Sequence, residues 1–179
     1  MIFRPTSLSG LFLILPQRIE DERGFFARTW CEKEAAQHGI KANWVQSNTS
    51  LNRQKGTLRG LHYQAAPHEE AKLVRCTRGA IFDVAVDIRK ESPSFGRWEA
   101  ATLSAENGQA FYIPAGFAHG FQTLSDDSEV LYLMSAFYHP ELSRGILWND
   151  PKIGIKWPSP DNIVVSAQDS AHPLLNAAI

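Results

Sequence analysis

The sequence predicts an all-β fold, a closed barrel or a double-sheet jelly roll with one or two short helices. Three observations carry that expectation. Ten prolines and 12 glycines punctuate the 179 residues. The segments between them are short and rich in β-branched and aromatic side chains. Ten such segments follow one another, separated by turn signals such as Glu91-Ser92-Pro93 and Ala105-Glu106-Asn107-Gly108. Strands in that number without alternating helices close into a barrel or pack as two sheets, and such folds hold ligands in the barrel mouth.

The expected strands, in order, span residues 11–19, 44–52, 57–64, 72–77, 80–88, 97–103, 110–113, 120–124, 130–138 and 163–165. In the second, Gln46, Asn48 and Ser50 fall on one face, which meets either a ligand or solvent. In the fifth, Asp83 and Asp87 alternate with Val84, Val86 and Ile88, and the plain reading leaves one of the two aspartates on the outer surface. In the ninth, Tyr132, Met134 and Tyr138 share a face. Residues 31–38, rich in Glu, Lys and Ala, predict a helix that Gly39 ends in the left-handed conformation. A short turn is expected near 167–170. No repeat, linker or low-complexity tract interrupts the chain, so residues 1–179 read as one domain, with the tail after Ser166 as its only appendage.

Composition removes several classes. Hydrophobic residues make up 44% and charged residues 21%, which is ordinary globular usage. Eighteen Lys and Arg against 19 Asp and Glu leave a formal charge of -1, so no basic field exists to hold a nucleic-acid backbone. Cys31 and Cys76 lack metal-pair spacing and read as free buried thiols. The start of the sequence carries no cationic stretch followed by a long apolar run, and no window spans a membrane. These features predict a cytoplasmic protein.

The densest polar cluster is Leu58-Arg59-Gly60-Leu61-His62-Tyr63-Gln64. Strand alternation puts His62 and Gln64 on one face and Arg59, Leu61 and Tyr63 on the other. Gly60 signals a bulge or the close approach of a ligand. A second cluster runs from Gly108 to Pro114-Ala115-Gly116-Phe117-Ala118-His119, and its spacing resembles the second motif of the cupin superfamily, which aims a histidine inward. In metal-binding cupins that histidine joins a His-x-His pair and a glutamate. Here the first motif reads His62-Tyr63-Gln64, and the ammonium of Lys72 downstream repels a dication while favouring an anion. No metal or other cofactor is therefore expected. A polar, partly anionic organic ligand would satisfy these groups, each of which costs roughly 1–3 kcal/mol if buried without a partner.

Over nearly its whole length the sequence resembles the dTDP-4-dehydrorhamnose 3,5-epimerase family. The matching segments are Asp21-Glu22-Arg23-Gly24-Phe25-Phe26, Gln46-Ser47-Asn48, Leu58 to Gln64, Lys72-Leu73-Val74-Arg75, Ser92-Pro93-Ser94-Phe95-Gly96, Ile113 to Phe121, Trp148-Asn149-Asp150-Pro151, and Asp169 ahead of Pro173-Leu174-Leu175. The resemblance implies a metal-free cupin jelly roll (double-stranded β-helix), usually a homodimer, that inverts carbon 3, carbon 5 or both of a nucleoside-diphosphate 4-keto-6-deoxyhexose in deoxysugar and surface-polysaccharide supply. It assigns His62 as base with Asp169 as partner, and Tyr132 as acid across the ring. A neutral imidazole accepts a proton near pH 7, and a carboxylate on its other nitrogen fixes the tautomer. Lys72 is the first choice to stabilise the enolate oxygen. Arg23, Phe26, Arg28, Gln46, Asn48, Arg59, His119 and Tyr138 are expected to bind substrate: Arg23 at the diphosphate, His119, Gln46 and Asn48 at sugar and phosphates, and Tyr138 stacked on the base. Parity sets Arg59 opposite His62, so either Gly60 bends the strand or Arg59 serves another part of the ligand.

Arg28, Ser143 and Gln168 depart from the family pattern of Glu, Glu and Lys. Arg28 replaces an acceptor with a fork of donors, which complements cytosine better than thymine and raises a CDP-linked substrate as an alternative. Against that, Arg28 could face solvent or a phosphate, with the base held by stacking alone. Two other classes compete with an epimerase: a metal-dependent cupin oxygenase or isomerase using His62, Gln64, Glu69 and His119, and a sugar-nucleotide-binding cupin without catalysis.

Overall fold

The punctuated apolar runs fold into two antiparallel sheets packed face to face, in a computed structural model that describes residues 1–179. In chain order the elements are β1 (Ile2–Pro5), β2 (Phe12–Leu15), β3 (Arg18–Asp21), β4 (Gly24–Ala27), α1 (Glu32–Ala36), β5 (Gln46–Asn52), β6 (Leu58–Gln64) and β7 (Lys72–Arg78). There follow β8 (Ala80–Asp87), β9 (Trp98–Ser104), β10 (Ala110–Ile113), β11 (Phe117–Thr123), β12 (Ser128–Met134), a 3-10 turn at Pro140–Leu142, β13 (Ser143–Gly145), α2 (Ala167–Ser170) and α3 (Leu175–Ala178). One sheet runs β1-β2-β10-β7-β12-β5 and the other β13-β6-β11-β8-β9, while β3 and β4 form a separate hairpin. This is the double-sheet jelly roll that the sequence predicts.

Several boundaries differ from expectation for local reasons. Residues 11–19 do not make one strand: Pro16, which has no N–H to donate, separates β2 from β3. The ninth strand stops at Met134, so Tyr138 lies in the following loop. Residues 163–165 form only an isolated parallel bridge between Val164 and Thr57. The short strands β1, β4 and β13 are additional to those expected. Gly39 adopts a positive φ of 74° after α1, as its place at the helix end requires.

Both faces of the five-stranded sheet are covered, so every residue of β11 is buried and so is all of β8 except Ala80 and Phe82. Between the sheets, Val74, Cys76, Ile81, Ala85, Leu103, Phe111, Phe117, Phe121 and Val130 pack with Leu8 and Leu11. On the outer face, Leu58, Leu61, Val84, Val86 and Ala118 meet Ile146, Ile153, Trp157 and Leu175. The tail is therefore no appendage. Leu175 and Asp169 are both buried, and residues 146–179 wrap the sheet that carries the polar cluster.

Asp83 and Asp87 are both fully buried, against the expectation that one faces water. Each has a partner, which is the condition for burying a carboxylate. Asp87 Oδ1 accepts from Arg89 N and Nε at 3.0 and 2.8 Å, and its Oδ2 accepts from Arg89 Nη2, Ser92 Oγ and Ser94 Oγ at 2.7, 2.6 and 2.6 Å. Burial alone would push this carboxyl up, but these donors hold it well below the usual carboxylate range. Its folded pKa is thus lower than its unfolded one of about 3.9. The resulting stability is present above roughly pH 4 and is lost as pH falls through the folded value. Asp87→Asn is expected to cost about 2–3 kcal/mol at pH 7, or ~4–12 °C in melting temperature. The gap from wild type should narrow toward pH 3. A gap of equal size at both pH values would mean that the charge is irrelevant.

Candidate active site

The inward-facing positions of the barrel turn from apolar to polar toward one end, where a cavity opens in two lobes of about 440 and 410 Å³. Arg59, His62, Lys72 and Tyr132 line both lobes. His62 comes from β6 in the five-stranded sheet, whereas Lys72 and Tyr132 come from β7 and β12 in the six-stranded one. The groups therefore converge on the cavity from opposite walls.

A register shift explains how Arg59 and His62 share it. His119 pairs with His62 and Phe121 with Arg59, so two residues of β6, Gly60 and Leu61, stand opposite Gly120 of β11. This bulge cancels the alternation that would have sent Arg59 to the other face. Gly60 occupies it with φ of 131°, and a Cβ there would lie 2.6 Å from the Gly120 Cα, so only glycine fits. Of the two readings left open for Arg59, the structure shows the bent strand.

His62 Nε2 meets Asp169 Oδ1 at 2.7 Å, and the other carboxylate oxygen of Asp169 accepts from Gly60 N at 3.2 Å. Asp169 sits on α2, whose N-cap Ser166 Oγ accepts from Asp169 N at 3.0 Å. Burial works against its charge, but His62 and the Gly60 N–H outweigh it and hold the carboxyl below the ordinary range. The His62 ring remains 42% exposed to the cavity. Burial raises the Tyr132 hydroxyl, with Glu70 adding to the rise and Arg59 opposing it, so the phenol stays protonated at neutral pH.

Lys72 is buried beside Glu70, its Nζ 3.2 Å from Oε1. His119 Nε2 meets Asp83 Oδ1 at 2.8 Å with both side chains buried, and burial raises the Asp83 carboxyl against the pull of His119 and Lys72. Arg59 Nε donates to Asn52 Oδ1 at 2.7 Å, while Asn52 Nδ2 donates to the Ser128 and Ser50 carbonyls, which fixes the guanidinium. Gln46, Asn48 and Tyr138 line the second lobe, and Gln46 Oε1 accepts from Tyr138 N. Ser143 and Gln168 line that lobe too.

Three expected substrate residues are not in the cavity. Arg23, Phe26 and Arg28 belong to the detached β3–β4 hairpin and its exit, where Arg23 pairs with Asp21 and Phe26 is 67% exposed. Arg28 pairs through Nη1 with Glu34 at 2.7 Å and is otherwise exposed. Gln64 shares the second lobe's wall but not the dyad's chemistry. Its amide is committed to the His68 and Phe137 carbonyls and the His139 N–H, tying two loops together. The set His62, Gln64, Glu69 and His119 is thus not assembled as four free ligands. Cys76 is buried, with its thiol pushed up to about 11 by burial, whereas Cys31 is only half-buried.

Sequence reasoning missed Asn52, Glu70 and His172. Asn52 continues the face of Gln46, Asn48 and Ser50 and could have been read from parity. Glu70 lies outside any strand, and His172 follows Asp169 by three residues in a segment expected to hang free.

The chain matches the family model described as dTDP-4-dehydrorhamnose 3,5-epimerase over residues 5–177. It is 47% identical over 175 residues to the dTDP-4-dehydrorhamnose 3,5-epimerase of Sinorhizobium fredii, covering 98% of this chain and 90% of that one. To the enzyme of the same name from Salmonella typhimurium it is 46% identical, covering 100% and 98%. The solved dTDP-6-deoxy-D-glucose-3,5-epimerase of Legionella pneumophila, in complex with dTDP-4-keto-L-rhamnose, superimposes with a TM-score of 0.92 at 43% identity, covering 98% of this chain and 93% of that one.

Proposed function

The chain belongs to the dTDP-4-dehydrorhamnose 3,5-epimerase family, and from that premise we propose that it is an isomerase that epimerises dTDP-4-dehydro-6-deoxyglucose at carbons 3 and 5 for deoxysugar synthesis. The observation that carries this reading is the convergence of the His62–Asp169 pair and Tyr132 on one cavity from opposite sheets. Inverting a carbon beside a ketone requires a proton to leave one face and another to arrive on the opposite face, so base and acid must stand on opposite sides of the ring.

In this mechanism His62 Nδ1, the nitrogen not held by Asp169, takes the proton next to the carbon-4 ketone. Asp169 stabilises the imidazolium that forms. Lys72 and Arg59, whose charges are balanced and fixed by Glu70 and Asn52, donate to the enolate oxygen and the adjacent phosphate. A donor already in place there is worth about 3–4 kcal/mol at the transition state. Tyr132 then protonates carbon from the far side. His119, held by Asp83, and Gln46 and Asn48 position the sugar, and Tyr138 at the rim stacks on the base.

Residues 1–179 act as one domain. The exposed hairpin, with Ile19, Phe25 and Phe26 all more than half exposed, supports a homodimer in which Arg23 and Phe26 reach a second copy's cavity. No helix is long and apolar enough to cross a membrane. We place the enzyme in the cytoplasm, where its two unpaired thiols would stay reduced. Arg28 lies outside the cavity of its own chain and pairs with Glu34, so we take the substrate's base to be thymine, the base of the sugar nucleotide held by the Legionella relative.

Incubation with the dTDP- and CDP-linked 4-keto-6-deoxyglucose in deuterated water, followed by proton NMR, tests this. The expected result is deuterium at carbons 3 and 5 of the dTDP sugar, with the CDP form turned over less efficiently. Absence of exchange in both would refute the epimerase reading. Higher efficiency on the CDP sugar would restore the Arg28 argument.

A further inference from the structure

His172 has no part in the proposed reaction, yet it is built against the dyad. Its side chain is 15% exposed, and its Nε2 is buried without a hydrogen-bond partner. That nitrogen lies 3.5 Å from Asp169 Oδ1, the same oxygen that His62 Nε2 meets at 2.7 Å. The two rings stand nearly edge to face, 5.8 Å apart. Space for the ring is made by Gly145, where any Cβ would collide with it.

We propose that His62, Asp169 and His172 form a divalent transition-metal site, a two-histidine, one-carboxylate set that takes Zn²⁺ or a similar ion and thereby blocks the base. One ligand atom from each residue lies within 4.8 Å of the others. Around a tetrahedral zinc with bonds of about 2.0–2.2 Å, ligand atoms sit roughly 3.4 Å apart. The His172–Asp169 spacing already meets this, the His62–Asp169 contact has to open by about 0.7 Å, and the two histidine nitrogens, within 4.8 Å of one another, have to settle at the same spacing. The Gly60 N–H on the second carboxylate oxygen orients Asp169, as partners outside a ligand shell do.

Arg59, Lys72 and Arg144 line the same lobe, with Glu70 as the only other acid there. Their charge weakens the site, and it fits an ion that comes and goes rather than a resident cofactor. A metal on Nε2 replaces the Asp169 contact and draws electron density from the ring, so Nδ1 no longer accepts a proton from carbon. The binding half of the inference stands apart from the reaction, whereas the inhibition half rests on the proposed function.

Zinc uptake by the substrate-free protein is measured by competition with a chromophoric chelator, and turnover of the dTDP sugar is followed with and without zinc. Wild type is expected to take up one zinc per chain and to lose turnover reversibly, with recovery on adding EDTA. His172→Ala and the bulkier His172→Gln are expected to keep metal-free turnover while their zinc affinity drops at least about 10-fold, the scale on which even partners outside the ligand shell act. No uptake by wild type, or equal uptake by both variants, overturns the site. Uptake through His172 with turnover unchanged overturns the block on the base. A protein that takes up zinc through His172 but never epimerises would leave the site standing and refute the proposed function instead.

Discussion

His62→Ala is expected to lower turnover by at least 10³-fold, and Asp169→Asn by at least 10²-fold, with the double variant no worse than His62→Ala alone. A positioned general base contributes about 10²–10⁴-fold, and two residues that act as one unit do not lose their contributions additively. Asp169→Asn keeps an oxygen for the Gly60 N–H and leaves the Ser166 cap in place, because that cap bonds the backbone of residue 169. What it removes is the charge that steadies the imidazolium. Both variants should melt within a few degrees of wild type, since the His62 ring is part-exposed and α2 is retained. Steady-state turnover with thermal melts checks this. An Asp169→Asn enzyme running at the wild-type rate, or single losses that multiply in the double variant, would show that the 2.7 Å contact is structural and not part of the base.

Tyr132→Phe separates the two halves of the reaction. The aromatic body of Tyr132 packs against the apolar core between the sheets and survives the change, so only the hydroxyl is lost. Proton removal by His62 proceeds from the other wall and is returned to the same face. Solvent deuterium should therefore enter the sugar at a rate within about 10-fold of wild type, while inverted product falls at least 10²-fold, the lower end for a general acid. Burial keeps the wild-type phenol protonated beyond its ordinary range, so the acid stays loaded through neutral pH. Proton NMR in deuterated water reads both quantities at once. If exchange and inversion disappear together, Tyr132 belongs to the base side or to binding.

Much of the fold was legible because burial on both faces leaves a strong trace. The expected strands over 72–77, 80–88 and 110–113 lie within a residue of β7, β8 and β10, and α2 coincides with the expected turn. Short edge strands carry little such trace: β13 offers only Ser143, Arg144 and Gly145. The cavity was legible where alternation holds, as along β5, and illegible where it breaks. At Gly60 a bulge reverses the face of everything beyond it, and a glycine alone does not say which way. The partners that hold charge in place lie far off in sequence. Asn52 precedes Arg59 by seven residues, but Asp83 is 36 residues from His119 and Asp169 is 107 from His62.

The wrapping of residues 146–179 around the outside of the five-stranded sheet gives synthesis of this protein a fixed order. Once Gly145 has left the ribosome, every strand of both sheets has been made, with Arg59, His62, Lys72 and Tyr132 among their residues. Asp169 has yet to emerge. The base is therefore completed last, when the wrapping segment covers the outer face of the sheet and brings Asp169 to His62. A break in the polypeptide between β13 and α2 that let the later segment drift away would return a mature molecule to that earlier, silent state.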